Sequence, residues 1–412
     1  MNNYFPNDYQ AFIHTSRYAK WLDLENRREN WLETVNRYVD NLVLPKITED
    51  ETVMAIREAI TNLDVMPSMR AMMSSGAAFD RDNTAGYNCS YMPVDDICSF
   101  DEAMFILLCG TGVGFSVERQ YVNKLPEVPL TLINISDSIV VADSKEGWAT
   151  SLRTLIKSLY AGIIPQWDVS AVRPAGAKLK TFGGRASGPA PLVDLFQFVV
   201  SKFKEAQGDK LTSLQCHDIM CKIGEVVVVG GVRRSAMISL SNLSDDRMRH
   251  AKSGAYWESN GQRNLANNSV AYTDKPDSTS FMREWLSLVE SGTGERGIFN
   301  RQAAKTQAAK NGRRDASYEF GTNPCSEIIL RPYQFCNLSE VVIRSTDTEQ
   351  DLERKVAIAT ILGTLQSTYT KFPYLRKVWE ENTNEERLLG VSLTGIMDNP
   401  LTTTANPDLQ GL

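Results

Sequence analysis

The stretch NPCSEIILRPYQFCNL, Asn323 to Leu338, sets two cysteines eleven positions apart and a glutamate two residues after the first. Pro324 holds the residue before it extended and offers no backbone donor, so Cys325 is expected on a loop and not in a strand ladder. Were the segment from Cys325 to Glu327 extended, residues two apart would project to one side, and a thiol and a carboxylate would face one substrate. A structural turn with a solvated Glu327 accounts for the same residues equally well. Cys89 in YNCSY and Cys336 in QFCNLSE share with Cys325 a polar setting at the edge of a strand-like run.

The other cysteines, Cys98, Cys109, Cys216 and Cys221, read as small buried hydrophobes. There is no CxxC pair, and His217 is the only histidine beside a cysteine, so no metal site is expected. With seven cysteines and three histidines in 412 residues, the chain fits a reducing compartment better than a disulfide framework. The start, MNNYFPNDYQ, lacks the basic and apolar segments of a signal peptide, and no apolar run approaches the ~18 residues of a spanning helix. A cytoplasmic protein with no membrane partner is expected. A formal net charge of -6 leaves no basic surface to argue for nucleic acid.

The length allows two or three domains or one large α/β barrel with additions. Helical periodicity is expected over 17–39, where Trp21, Leu24, Trp31, Val35 and Tyr38 fall near helical spacing, and again at about 50–61, 101–108, 147–160, 192–206, 278–290 and 351–370. The stretch 212–229 reads as a helix closed by Gly230 and Gly231. Strand-like runs lie at 87–92, 113–117, 235–240, 268–272, 337–343 and 389–393. Strands alternating with helices point to a mainly parallel sheet or barrel.

NPCSEI followed by CNL resembles the active-site signature of the ribonucleotide reductases. YNCSYMPV, GTGVGFSVER, DSKEGWATSL, VRPAGAKLKTFGGRASGPAPL, GGVRRSAMISL, GERGIFNR and RLLGVSLTGIMD, in that order, are similar to segments of the cobalamin-dependent class II enzymes. The resemblance implies a fold: a partial ten-stranded α/β barrel with a central finger loop near 321–336. Residues 1–80 would form an N-terminal helical region, 81–398 the incomplete barrel, and 399–412 an irregular tail. The family's later strands and phosphate-binding turn have no counterpart here, so a split enzyme completed by a second polypeptide is expected.

The resemblance also assigns roles. With adenosylcobalamin as cofactor, Cys325 would become the thiyl that removes the 3'-hydrogen of a ribonucleotide substrate. Glu327 would take the proton of the 3'-hydroxyl, Asn323 would hold sugar hydroxyls, and Cys89 with Cys336 would supply reducing equivalents and end as a disulfide. Ser68 in MPSMR matches a position near the substrate phosphates. Gly112 and Gly114 in GTGVGF would let a ligand approach the backbone, with a tight packing turn as an equal competitor. Allosteric nucleotide effectors and a thioredoxin-like reductant are the further expected partners. A class I catalytic chain and a non-catalytic nucleotide- or partner-binding fragment are the rivals.

Overall fold

The computed structural model describes residues 4–177, 185–229 and 236–403. It divides into two compact bodies, one of Met1–Asn88, Phe335–Pro373 and Lys377–Leu412, the other of Cys89–Gln334 and Tyr374–Arg376.

The second body is built on five strands: β1 (Cys89–Pro93), β2 (Gly112–Ser116), β3 (Met237–Asn242), β4 (Ala266–Tyr272) and β5 (Gly297–Asn300). Every neighbouring pair is parallel, in the order β5-β4-β3-β2-β1. Parallel neighbours need crossovers, and helices α1 (Ser99–Leu108), α2 (Ser213–Val229), α3 (Ser278–Ser291) and α4 (Arg301–Ala309) run between or beyond them. The expected helix at 212–229 is α2; the glycines expected to close it, and the first residue of the expected strand 235–240, lie outside the described residues. Covered on both faces, β2 is buried along its whole length, as parallel sheets require. Its Phe115 turns toward α2, with its ring centroid 6.0 Å from that of His217. A separate βαβ excursion carries a parallel pair, Ile133–Val140 and Ile163–Asp168, joined by the helix Lys145–Tyr160.

Two short antiparallel strands, β6 (Gly321–Thr322) and β7 (Ile329–Leu330), follow α4. They form the expected finger.

In the first body, β8 (Gln334–Val342) pairs with β9 (Leu389–Thr394) in parallel and with Val65–Met66 antiparallel. Trp31, Val35, Tyr38, Ile56 and Ile60 pack with Val341 of β8 and Leu362 of α5 (Glu349–Ser367) in one apolar core. Only part of 17–39 is helical there: Trp31–Tyr38 is a helix, whereas Trp21–Leu22 and Arg27–Arg28 pair as a small hairpin. The reason is electrostatic. Glu29, buried, accepts the Lys20 backbone N–H at 3.0 Å and the Arg37 guanidinium at 2.7 and 2.9 Å. Glu29 and Arg37 thus form an internal clasp, and Leu24 at the hairpin is fully exposed. The tail also differs from an irregular segment, since Pro400–Thr403 closes a helical turn; residues 404–412 lie outside the described residues.

Candidate functional site

Between β6 and β7 the chain reverses in a β-turn, closed by the Ser326 N–H donating to the Asn323 carbonyl at 2.9 Å. Pro324 and Cys325 occupy its central positions, the first of which suits the fixed φ of proline. Asn323 is fully buried, and its Oδ1 accepts the Ile328 N–H at 2.9 Å, clamping the loop from inside. Cys325, Ser326 and Glu327 are exposed at the tip. The segment from Cys325 to Glu327 is therefore a turn and not extended: Ser326 sits at φ 66°, which breaks the strand alternation. Glu327 still acts on its neighbour. Partial burial, then the Glu327 charge and then Cys89, pushes the Cys325 thiol above its usual range, because each disfavours the thiolate.

The finger lies against one face of β1 and β2. Side chains alternate along a strand, so Cys89 and Tyr91 share a face, and the register sets them beside Gly112 and Gly114. Glycine is needed at both positions of β2. A β-carbon on Gly112 would stand 2.9 Å from Pro324 Cγ, and one on Gly114 only 1.8 Å from the Thr322 carbonyl oxygen. The finger returns the accommodation, since a β-carbon on Gly321 would fall 2.0 Å from the Tyr91 ring. The space beside Gly112 and Gly114 is thus filled by the finger. With the finger seated, the Asn323 amide Nδ2 points at Cys89 Sγ, 3.6 Å away, and Cys89 is close enough to help raise the Cys325 thiol.

Cys89, Asn323, Cys325 and Glu327 are brought together in the second body. Ser68 and Cys336 belong to the first. Ser68 Oγ donates to Asn88 Oδ1 at 2.7 Å and caps the helix Met69–Ser74 by accepting the Ala71 N–H at 3.4 Å. Cys336 is 1% exposed and lies inside β8, not at its edge as the sequence suggested. Its carbonyl accepts the Asn88 N–H at 3.3 Å. Among the described residues no disulfide is formed.

Sequence reasoning missed Tyr91 and Gly321, which seat the finger. The available signal was parity: Cys89 and Tyr91, like Gly112 and Gly114, are two apart on their strands, and one large side chain facing small ones marks a surface against which another backbone lies.

The parallel sheet with a finger set against it defines the ribonucleotide-reductase fold: the chain superimposes on a crystal structure of a B12-dependent class II ribonucleotide reductase with a TM-score of 0.78 at 24% identity, over 94% of this chain and 62% of that one. The class Id reductase α subunit of Actinobacillus ureae matches less well, at a TM-score of 0.53 and 12% identity over 96% of this chain and 60% of that one. Residues 131–202, which include the βαβ excursion, match the family described as B12-dependent ribonucleotide reductase, insertion domain. The adenosylcobalamin-dependent ribonucleoside-triphosphate reductase of Lactobacillus gasseri is 29% identical over 94% of this chain and 61% of its own length; that of Lactobacillus leichmannii is 28% identical over 96% and 62%. In sequence and in fold the chain is thus similar to adenosylcobalamin-dependent, class II reductases, and it spans 61% of the length of the L. gasseri protein.

Proposed function

We propose that the chain houses the thiol chemistry of ribonucleotide reduction, with a ribonucleoside triphosphate as substrate and adenosylcobalamin as cofactor. The observation that carries the reading is Cys325: an exposed thiol at the tip of a rigidly seated turn, with Glu327 two residues away and the Cys89 thiol beneath. Hydrogen-atom transfer uses S–H and not thiolate. Burial and the Glu327 charge, which hold Cys325 protonated, favour the form that such a step requires. In this respect the residues fit the cofactor, which when bound supplies the one-electron oxidation that converts a thiol to a thiyl.

Cys325 would give up its hydrogen atom and then remove the 3'-hydrogen of the ribose. Glu327 would accept the 3'-hydroxyl proton as the 2'-hydroxyl leaves as water. Cys89 and Cys336 would give up two protons and two electrons, one proton leaving in that water and a hydrogen ending on C2', and close as a disulfide that a thioredoxin-like dithiol reduces, after which Cys325 would return its hydrogen atom to C3'. Asn323 would orient the sugar, and Ser68 would stand on the phosphate side. Nucleotide effectors belong to the same proposal. So does a second polypeptide pairing with β9, since Ser392, Leu393 and Thr394 are exposed and an open strand edge invites another strand.

The test is a single turnover of ribonucleoside triphosphate with adenosylcobalamin and no external reductant, followed by peptide mass spectrometry, first with the chain alone and then with a candidate partner. About one deoxyribonucleotide per site and a Cys89–Cys336 link are expected; a Cys216–Cys221 link with Cys89 still reduced would move the reductant role elsewhere.

A further inference from the structure

The root of the finger is held by a buried ion pair that the chemistry at its tip does not use. Arg301 opens α4 and Glu118 follows β2, with side chains 1% and 0% exposed. Arg301 Nη1 and Nη2 donate to the two Glu118 oxygens at 2.8 and 2.5 Å. Its Nε donates to the backbone carbonyl of Phe320 at 2.7 Å, and Nη1 also stands 3.6 Å from the exposed Glu319 carboxylate. Phe320 is the residue before β6. Glu118 is completed by the Ser116 hydroxyl at 2.8 Å and the Gln120 amide at 2.9 Å.

Stability alone is a poor reason for this arrangement. Taking two charges out of water is costly, and replacing both by apolar groups tends to be neutral or stabilising. The pair does supply a fixed direction. A guanidinium is a rigid planar fork, able to hold a carboxylate with one edge while a third N–H points to a set place; an ammonium on a flexible stem cannot keep that geometry. The finger needs such a hold because its own ladder is only two residue pairs long, and a two-stranded hairpin is marginal by itself. Cys325 lies only five positions beyond Phe320, so a tilt at the root is carried to the thiol.

We propose that Arg301, oriented by Glu118, is a positioning residue for Cys325: by gripping the Phe320 carbonyl it sets where the finger stands and hence where the thiol is presented. The proposal rests on the reading of Cys325 as the finger thiol, yet its test needs no turnover.

The full chain is compared with Arg301→Lys and with the double variant Glu118→Leu/Arg301→Met, which leaves no lone buried charge. Three readouts are taken: the melting temperature, amide hydrogen exchange across residues 321–330, and the pH profile of Cys325 alkylation by iodoacetamide, resolved by peptide mass spectrometry. Arg301→Lys should melt close to the parent while finger amides exchange at least about tenfold faster, as a locally opened segment does, and its Cys325 alkylation profile should shift. The double variant should show the same pair of changes. Finger exchange and a Cys325 profile that match the parent in Arg301→Lys would overturn the proposal, because charge alone would then suffice. Should the double variant not fold, Arg301→Lys still decides. Failure of the reading of Cys325 would appear separately, as turnover surviving in Cys325→Ala, and would leave the exchange result standing.

Discussion

The two ends of the finger are made by opposite means. At the root, Phe320 and Thr322 are buried, their carbonyls meeting the Arg301 guanidinium and the bare Cα of Gly114. At the tip, Cys325, Ser326 and Glu327 stand in solvent, and one turn hydrogen bond with the Asn323 clamp is what shapes them. Burial at one end and exposure at the other is how a short hairpin keeps a reactive group accessible without letting it wander. Placement is fixed where the chain is buried, and the thiol stands where little packing constrains it. Damage to the tip should therefore cost chemistry with little stability, and overpacking the root where it lies on Gly114 should cost stability first.

The largest effect is expected at the tip. Cys325→Ala should abolish ribonucleotide reduction in an assay with adenosylcobalamin and a dithiol, and leave the melting temperature near the parent value; measurable turnover would sink the assignment. Glu327→Gln removes a general base while keeping shape, and a loss of about 10²-fold or more in kcat is expected, with similar stability. The root behaves otherwise. Gly114→Ala puts a methyl group against the Thr322 carbonyl, an overpacking that should cost about 3 kcal/mol in denaturant unfolding; a near-neutral result would mean that the finger can lift from β2 freely.

The smallest effect sharpens the comparison within the tip. Alkylation of Cys325 requires thiolate, and its thiol is raised by burial first and by Glu327 second, so the rate should reach half its plateau above the pH ~8.5 of an unperturbed cysteine. Glu327→Gln should bring that midpoint down. If it stays in place, burial alone holds the proton.

Much of this architecture was legible because it rests on residues that are present. The helices at 50–61, 278–290 and 351–370, and the strands of the parallel sheet, follow from apolar spacing and β-branched runs, and Cys325 on a loop follows from Pro324. The finger's seat was harder to read, since it depends on side chains that are missing at Gly112, Gly114 and Gly321 and on which backbone fills the gap, a long-range fact. Sequence spacing also misjudged the stretch from Cys325 to Glu327, where the positive φ of Ser326, an ordinary serine by type, overrides alternation. The hairpin near Leu24 was missed for a related reason: spacing cannot tell a solvated glutamate from Glu29 turned inward to Arg37.

The register of β1 against β2 carries a consequence for mutation. Odd-numbered residues of β1 look toward the finger and even-numbered ones look away, with the Ser90 hydroxyl donating to the Gly112 carbonyl at 3.0 Å. A deletion that slipped β1 by one residue would exchange these sets wholesale, presenting the finger with Ser90 in place of Cys89. The fold could absorb a serine there. A hydroxyl, however, cannot close a disulfide, so the redox role proposed for this face depends on parity as much as on composition, and single-residue indels between Gly86 and Cys89 should be far more damaging than most substitutions at the same positions.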